Sequence, residues 1–73
     1  MATITRESLQ ATYRNSTLHS LQQELEAAQG YLSYDRERSN EFPRAEKWKG
    51  YIQQDNLRIQ VLTELIGAQQ PAN

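Results

Sequence analysis

Two rows of apolar residues at alternating three- and four-residue intervals constrain this chain more than any other feature. The first is Leu18, Leu21, Leu25, Ala28 and Leu32. The second is Ala45, Trp48, Ile52, Asp55, Ile59, Leu62 and Ile66, with one carboxylate standing in the row. Such spacing returns to one side of an α-helix every two turns, and a strand, with its period of two, cannot follow it. The expected fold is all-α: an antiparallel helical hairpin of two long helices joined by a polar turn.

Local signals set the expected boundaries. Thr5 followed by Glu7 reads as an N-cap with an acid near the positive end of a helix, so the first helix is predicted over about 5–35. Its seam weakens before Leu18, where the heptad positions fall on Ala11 and Arg14. Residues 35–49 carry nine of the seventeen charges, with signs interleaved, as in a solvated connection. Ser39-Asn40 is the favoured turn within a connection at about 36–41. Pro43 then falls in the first turn of a second helix over about 42–66, where its missing N–H costs little. Gly67 reads as a C-terminal stop and Pro71 as a block to continuation, leaving 68–73 as a disordered tail.

A turn at Ser39-Asn40 pairs residues whose numbers sum to about 80. Gly30 and Gly50 then face one another, as a point of close helix approach beside Tyr31 and Tyr51, as two unrelated tolerated glycines, or with the first helix ending early at Gly30. Asp55 falls opposite about Leu25 with no second acid nearby. In that setting the choices are pairing with Arg58 or Gln22 or facing the interface edge, and the expected role is to hold register, as one polar residue does in a coiled-coil seam.

The second helix has more apolar surface than one neighbour can cover. Leu57, Val61, Leu65 and Ala68 form a second stripe more than 100° from the first, in line with Gly50. Leu9, Tyr13, Ala27, Tyr31 and Tyr34 lie likewise off the leucine seam. Burying a Leu or Val side chain contributes roughly 1.5–3 kcal/mol, and an open aliphatic stripe invites aggregation. The stripe is therefore expected to meet another chain. Trp48, Tyr51, Leu57, Val61 and Leu65 are the candidate partner-binding residues, the two aromatics as anchors. The alternative is that the N-terminal residues fold back over the stripe and make a small three-helix unit.

Composition narrows the chemistry. In 73 residues, of which 37% are hydrophobic, only one small core fits, and such chains usually need a staple. With no cysteine, disulfides, thiolate zinc sites and a cysteine nucleophile are excluded. His19 is the single histidine and lies off the leucine seam. Glu24 and Glu26 are two residues apart and point to different helix faces. No phosphate loop, HExxH or Ser-His-acid set is present, so neither an enzyme nor a cofactor is expected. A formal net charge of −1, with Arg6, Arg14, Arg36, Arg38 and Arg44 dispersed among acids, argues against nucleic acid. No run approaches the ~20 apolar residues of a membrane span. Nothing at the N-terminus resembles a signal peptide, so the expectation is cytoplasmic and Asn15-Ser16-Thr17 is read as a chance sequon. The remaining staple is a protein partner.

TLHSLQQELEAAQGYL and FPRAEKWKGYIQQDNLRIQVLTELIG resemble the first and second helices of the small co-chaperones of type III secretion needle subunits, over about residues 17–67. The resemblance implies a non-enzymatic co-chaperone. It would bind a TPR-like chaperone and help keep the needle subunit soluble before export, with Leu57, Val61 and Leu65 as its apolar surface. SNEFP at the turn differs from the proline-rich element of the needle subunit itself. The competing reading is self-association into a homodimeric four-helix bundle, an adaptor or regulatory protein binding another protein.

Overall fold

A computed structural model describes residues 4–69. Among them the chain forms three helices and no strand: α1 (Arg6–Thr12), α2 (Leu18–Glu41) and α3 (Lys47–Gln69). The principal extents are 45 × 24 × 17 Å, the outline of a hairpin with a short third helix laid on it.

The expected first helix is two helices. Thr5 caps α1 through a capping box, its Oγ1 accepting from the Ser8 amide at 3.1 Å while its own N–H donates to Ser8 Oγ at 3.0 Å. The helix ends at Tyr13, and Arg14–Thr17 form the link. Thr17 then caps α2, accepting from the Ser20 amide at 3.1 Å. The physical reason is local: Asn15, Ser16 and Thr17 all offer side-chain alternatives to helical backbone hydrogen bonds, and Thr17 uses its own. The break frees α1 to change direction.

The turn also lies later than expected. α2 runs through Ser39 and Asn40 to Glu41, so residues 36–41 are helical. Phe42 closes the helix by donating its N–H to the Arg38 carbonyl at 2.8 Å. Pro43 ends α2 rather than starting α3, because it disfavours helical backbone in the residue before it and has no N–H to extend the ladder. Residues 42–46 make the connection. At the far end α3 continues through Gly67 and Ala68 to Gln69, while Pro71 and residues 70–73 lie outside the described residues.

Moving the turn moves the register, since Glu41 and Lys47 now flank it and facing residues sum to about 88. Gly30 and Gly50 are no longer paired. A Cβ added at either meets nothing within 4 Å, so neither marks a close approach.

Leu21, Val61 and Leu62 are fully buried and Ala28, Leu9 and Tyr13 nearly so. Ile4, Leu25, Leu57, Ile59, Leu65 and Ile66 pack around them. α2 and α3 form the main contact, and α1 packs on α3. Leu62 belongs to the first stripe of α3 and Val61 to the second, and both are covered. The three-helix alternative is the one realised. An ion pair between Arg6 and Glu64, and a 2.9 Å hydrogen bond from Gln69 Nε2 to the Ser16 carbonyl, tie α1 and the link to the end of α3. Burial pushes the Tyr13 phenol above its ordinary range, opposed by the charge of Arg58.

Candidate interaction surface

The five residues expected to bind a partner divide into two groups. Val61 has no exposed surface, and Leu57 and Leu65 are half-buried against the cluster that contains Leu9 and Tyr13. Within this chain the three are therefore part of, or packed on, the core to which α1 contributes Leu9 and Tyr13, and do not form an open stripe. Tyr51 is exposed and Trp48 half-buried, both on the turn-proximal part of α3.

There they join residues of α2. The Trp48 ring meets Tyr51 edge-on, with centroids 5.6 Å apart, and meets Tyr34 of α2 in the same manner at 6.2 Å. Edge-to-face pairs set the positive rim of one ring against the negative face of another, worth ~0.5–1.5 kcal/mol beyond area burial. The Arg38 guanidinium lies 5.0 Å from the Tyr34 centroid, and Lys47 Nζ lies 5.1 Å from that of Trp48. Arg38 is held in turn by Glu41 at 2.5 Å. The rings are thus ordered by one another, and little rotamer freedom remains to be lost on binding.

They are also open to solvent. Tyr34 is 50% exposed and Tyr51 43%, and Tyr31 (one turn before Tyr34) and Phe42 are more exposed still. Aromatic residues with arginine at the edge are the composition enriched in protein interfaces. Tyr31, Tyr34, Arg38, Lys47 and Phe42 were not among the expected binding residues. Their signal was the placement of Tyr31 and Tyr34 off the leucine seam, which stays uninterpretable until the register puts Tyr34 beside Trp48.

A shallow hollow of about 500 Å³ at the turn is lined by consecutive residues, Glu41 at the end of α2 and Phe42 to Ala45 of the connection. Among the described residues no three His, Cys, Asp or Glu side chains lie together as a metal site, and no helix is long and apolar enough to cross a membrane.

No family model, curated protein or solved structure matches this chain. Its function is therefore read from its own surface.

One buried residue of α3 carries a charge-bearing group. Asp55 is 7% exposed, and its Oδ2 is fully buried without a hydrogen-bond partner. The shifted register places Asp35 of α2 across the seam from it, near enough to act on its ionisation, in place of the acid-free surroundings expected. Burial is the main cause of its raised pKa, followed by the hydrogen bond and charge of Asp35. Arg58 acts in the opposite direction, and the Asp55 carboxyl is pushed up to about 7.

Proposed function

We propose that this chain is a non-enzymatic protein-binding module that docks its partner on the face formed by Tyr31, Tyr34, Trp48 and Tyr51. The observation that carries this reading is the Tyr34–Trp48–Tyr51 cluster, its two tyrosines exposed on either side of a half-buried Trp48, held by ring contacts and flanked by Arg38 and Lys47. Large, pre-ordered, amphipathic side chains contribute contact area at low entropic cost, which is why Tyr and Trp dominate binding hot spots. The co-chaperone resemblance supplies the partner class to try first, a TPR-like chaperone in the presence of a needle-type subunit, with the aromatic face in the role first assigned to the aliphatic stripe.

The test is titration calorimetry of the chain against such a chaperone, with Tyr34→Ala and Tyr51→Ala as separate variants. Each is expected to weaken binding roughly tenfold or more, while the chain stays folded with a thermal midpoint lowered by several degrees for the lost contact with Trp48. Unchanged affinity in both would refute the assignment of this face. A parent chain that forms a stable dimer through the same tyrosines and ignores the chaperone would replace the hetero-partner with a second copy.

A further inference from the structure

We propose that two copies of this chain exchange α1: the link at Arg14–Thr17 straightens, α1 and α2 become one helix, and α1 of each copy covers the aliphatic stripe of the other. The partner surface is therefore Leu57, Val61 and Leu65 of a second copy, and the element that fills it is the one that fills it within the chain.

The hinge needs little change. Residues 6–41 contain no proline and one glycine, Gly30, so nothing in the sequence forbids a single helix. The link keeps helix-like winding: Arg14 N–H donates to the Ala11 carbonyl at 3.4 Å, and Ser16 N–H to that of Tyr13 at 3.1 Å. Thr17 has φ −73° and ψ 161°. Its φ is already helical, so rotating ψ to about −42° carries helix through it. No described residue other than glycine has a positive φ that would lock the bend. Straightening also pairs the last carbonyls of α1, which a helix end leaves free, with amides of the link and of α2.

The contact with α3 is separable from the rest. Among the described residues the backbone of α1 lies against α3 and not against α2. Its polar ties are the solvent-exposed Arg6–Glu64 pair and the Gln69 bond to the Ser16 carbonyl. Releasing α1 bares Leu9 and Tyr13 on one side and Val61 on the other, all buried in the closed chain. These surfaces fit each other already, and an exchanged dimer restores every contact that opening breaks.

Direction and length also agree. Arg6 meets Glu64 and Ser16 meets Gln69, so α1 runs in the same sense as α3. A straightened α1 projects past the open end of its own hairpin, residues 6–17 rising about 18 Å. In a second copy placed open end to open end it runs in that same sense along α3, where Leu57 to Gln69 also span about 18 Å. Tyr34, Trp48 and Tyr51 lie towards the turns and take no part, so the exchange stands whatever that face binds.

The experiment refolds the full chain from denaturant at millimolar concentration and follows sedimentation on dilution, comparing the parent with Thr17→Ala. The substitution removes the cap that holds the bend and puts a better helix former inside the straight form. A lost cap shifts each chain about fivefold and a dimer contains two, so its dissociation constant should fall at least about tenfold, with helical signal rising with the dimer fraction. Thr17→Ala that stays monomeric, or a dimer that Tyr51→Ala disperses, would overturn the proposal. Exchange itself is read by mixing Arg6→Glu with Glu64→Arg, in the Thr17→Ala background or, should that variant not fold, in the parent. Each alone sets like charges within its own α1–α3 contact, whereas a mixed exchanged dimer sets opposite charges at both. Native mass spectrometry at low ionic strength should show the mixed dimer in several-fold excess over its statistical share, and a statistical mixture would refute the exchange.

Discussion

Replacing Val61 by alanine separates the two possible roles of the second stripe by the sign of its effect. If Val61 stood on a solvent-facing stripe awaiting a partner, the substitution would exchange a β-branched residue for the best helix former. The isolated chain would then gain roughly 0.5 kcal/mol. The structure instead encloses Val61 completely, among Leu9, Tyr13, Leu21 and Leu62. Two methyl groups are then lost from a packed interior. At about 0.8 kcal/mol each for transfer, plus a cavity contribution of order 1 kcal/mol, the cost is about 2–3 kcal/mol. Subtracting the gain in helix propensity leaves a destabilisation of about 2 kcal/mol.

A chain of this length has a stability of roughly 4–11 kcal/mol, so Val61→Ala remains folded and measurable. Val61→Asp would bury a carboxylate without a partner and is expected to unfold the chain. The assay is urea denaturation followed by helical circular dichroism, with an unchanged denaturant slope as evidence that the same surface is exposed. The thermal midpoint should fall by about 10 °C, at ~4–8 °C per kcal/mol for a domain of this size. An unchanged or raised midpoint would place Val61 outside the core and α1 away from α3.

Other substitutions address separate links. Leu9→Ala removes the α1 side of the same contact and should cost about 2 kcal/mol, while increasing concentration-dependent self-association measured by sedimentation, since Val61 and Leu57 are uncovered. Thr17→Ala deletes the cap that separates α2 from α1 and should cost ~1 kcal/mol in denaturation. Gly30→Ala and Gly50→Ala, each facing open space, should raise stability by ~0.5–1 kcal/mol. Loss of stability in either would restore a close helix approach at that level.

The helical class is legible in the sequence because the three-four spacing of Leu18 to Leu32 and Ala45 to Ile66 admits no other regular backbone. Two competitions between signals are harder to read. At residues 13–17, strong helix formers on both sides conceal a cluster of side chains that bond to their own backbone. The weak seam at Ala11 and Arg14 is consistent with continuous helix as well as with a break. At residues 39–43, Ser-Asn suggests a turn and Pro suggests a helix start, yet Pro43 acts as the stop and the helix runs through Ser39 and Asn40. That misplacement propagates, because the pairing sum moves by eight. Asp55 gains Asp35 as its neighbour, and the two glycines part. The surplus stripe on α3 is correctly seen in sequence, but periodicity along one helix cannot say whether a short segment of the same chain returns to cover it.

The reach of α1 connects this cover to the surface left open. Seven helical residues rise about 10 Å, whereas the 23 of α3 extend about 35 Å. α1 can therefore shield only part of α3, and side-chain type along the shared face follows that limit. Under α1 the residues are aliphatic: Leu65, Val61 and Leu57. Towards the turn, helical steps continue the same face as Gln54, Gly50 and Lys47, with Tyr51 at its edge, so that aliphatic side chains give way to ones that combine apolar stems or rings with polar ends. A tyrosine tolerates water at its hydroxyl while keeping its ring for a partner, and leucine at that position would have no such compromise. Tyr51→Leu should consequently preserve the fold, since the site is 43% exposed, yet promote self-association in sedimentation. A monomeric Tyr51→Leu chain would mean that this face is too small or too dispersed to hold another protein.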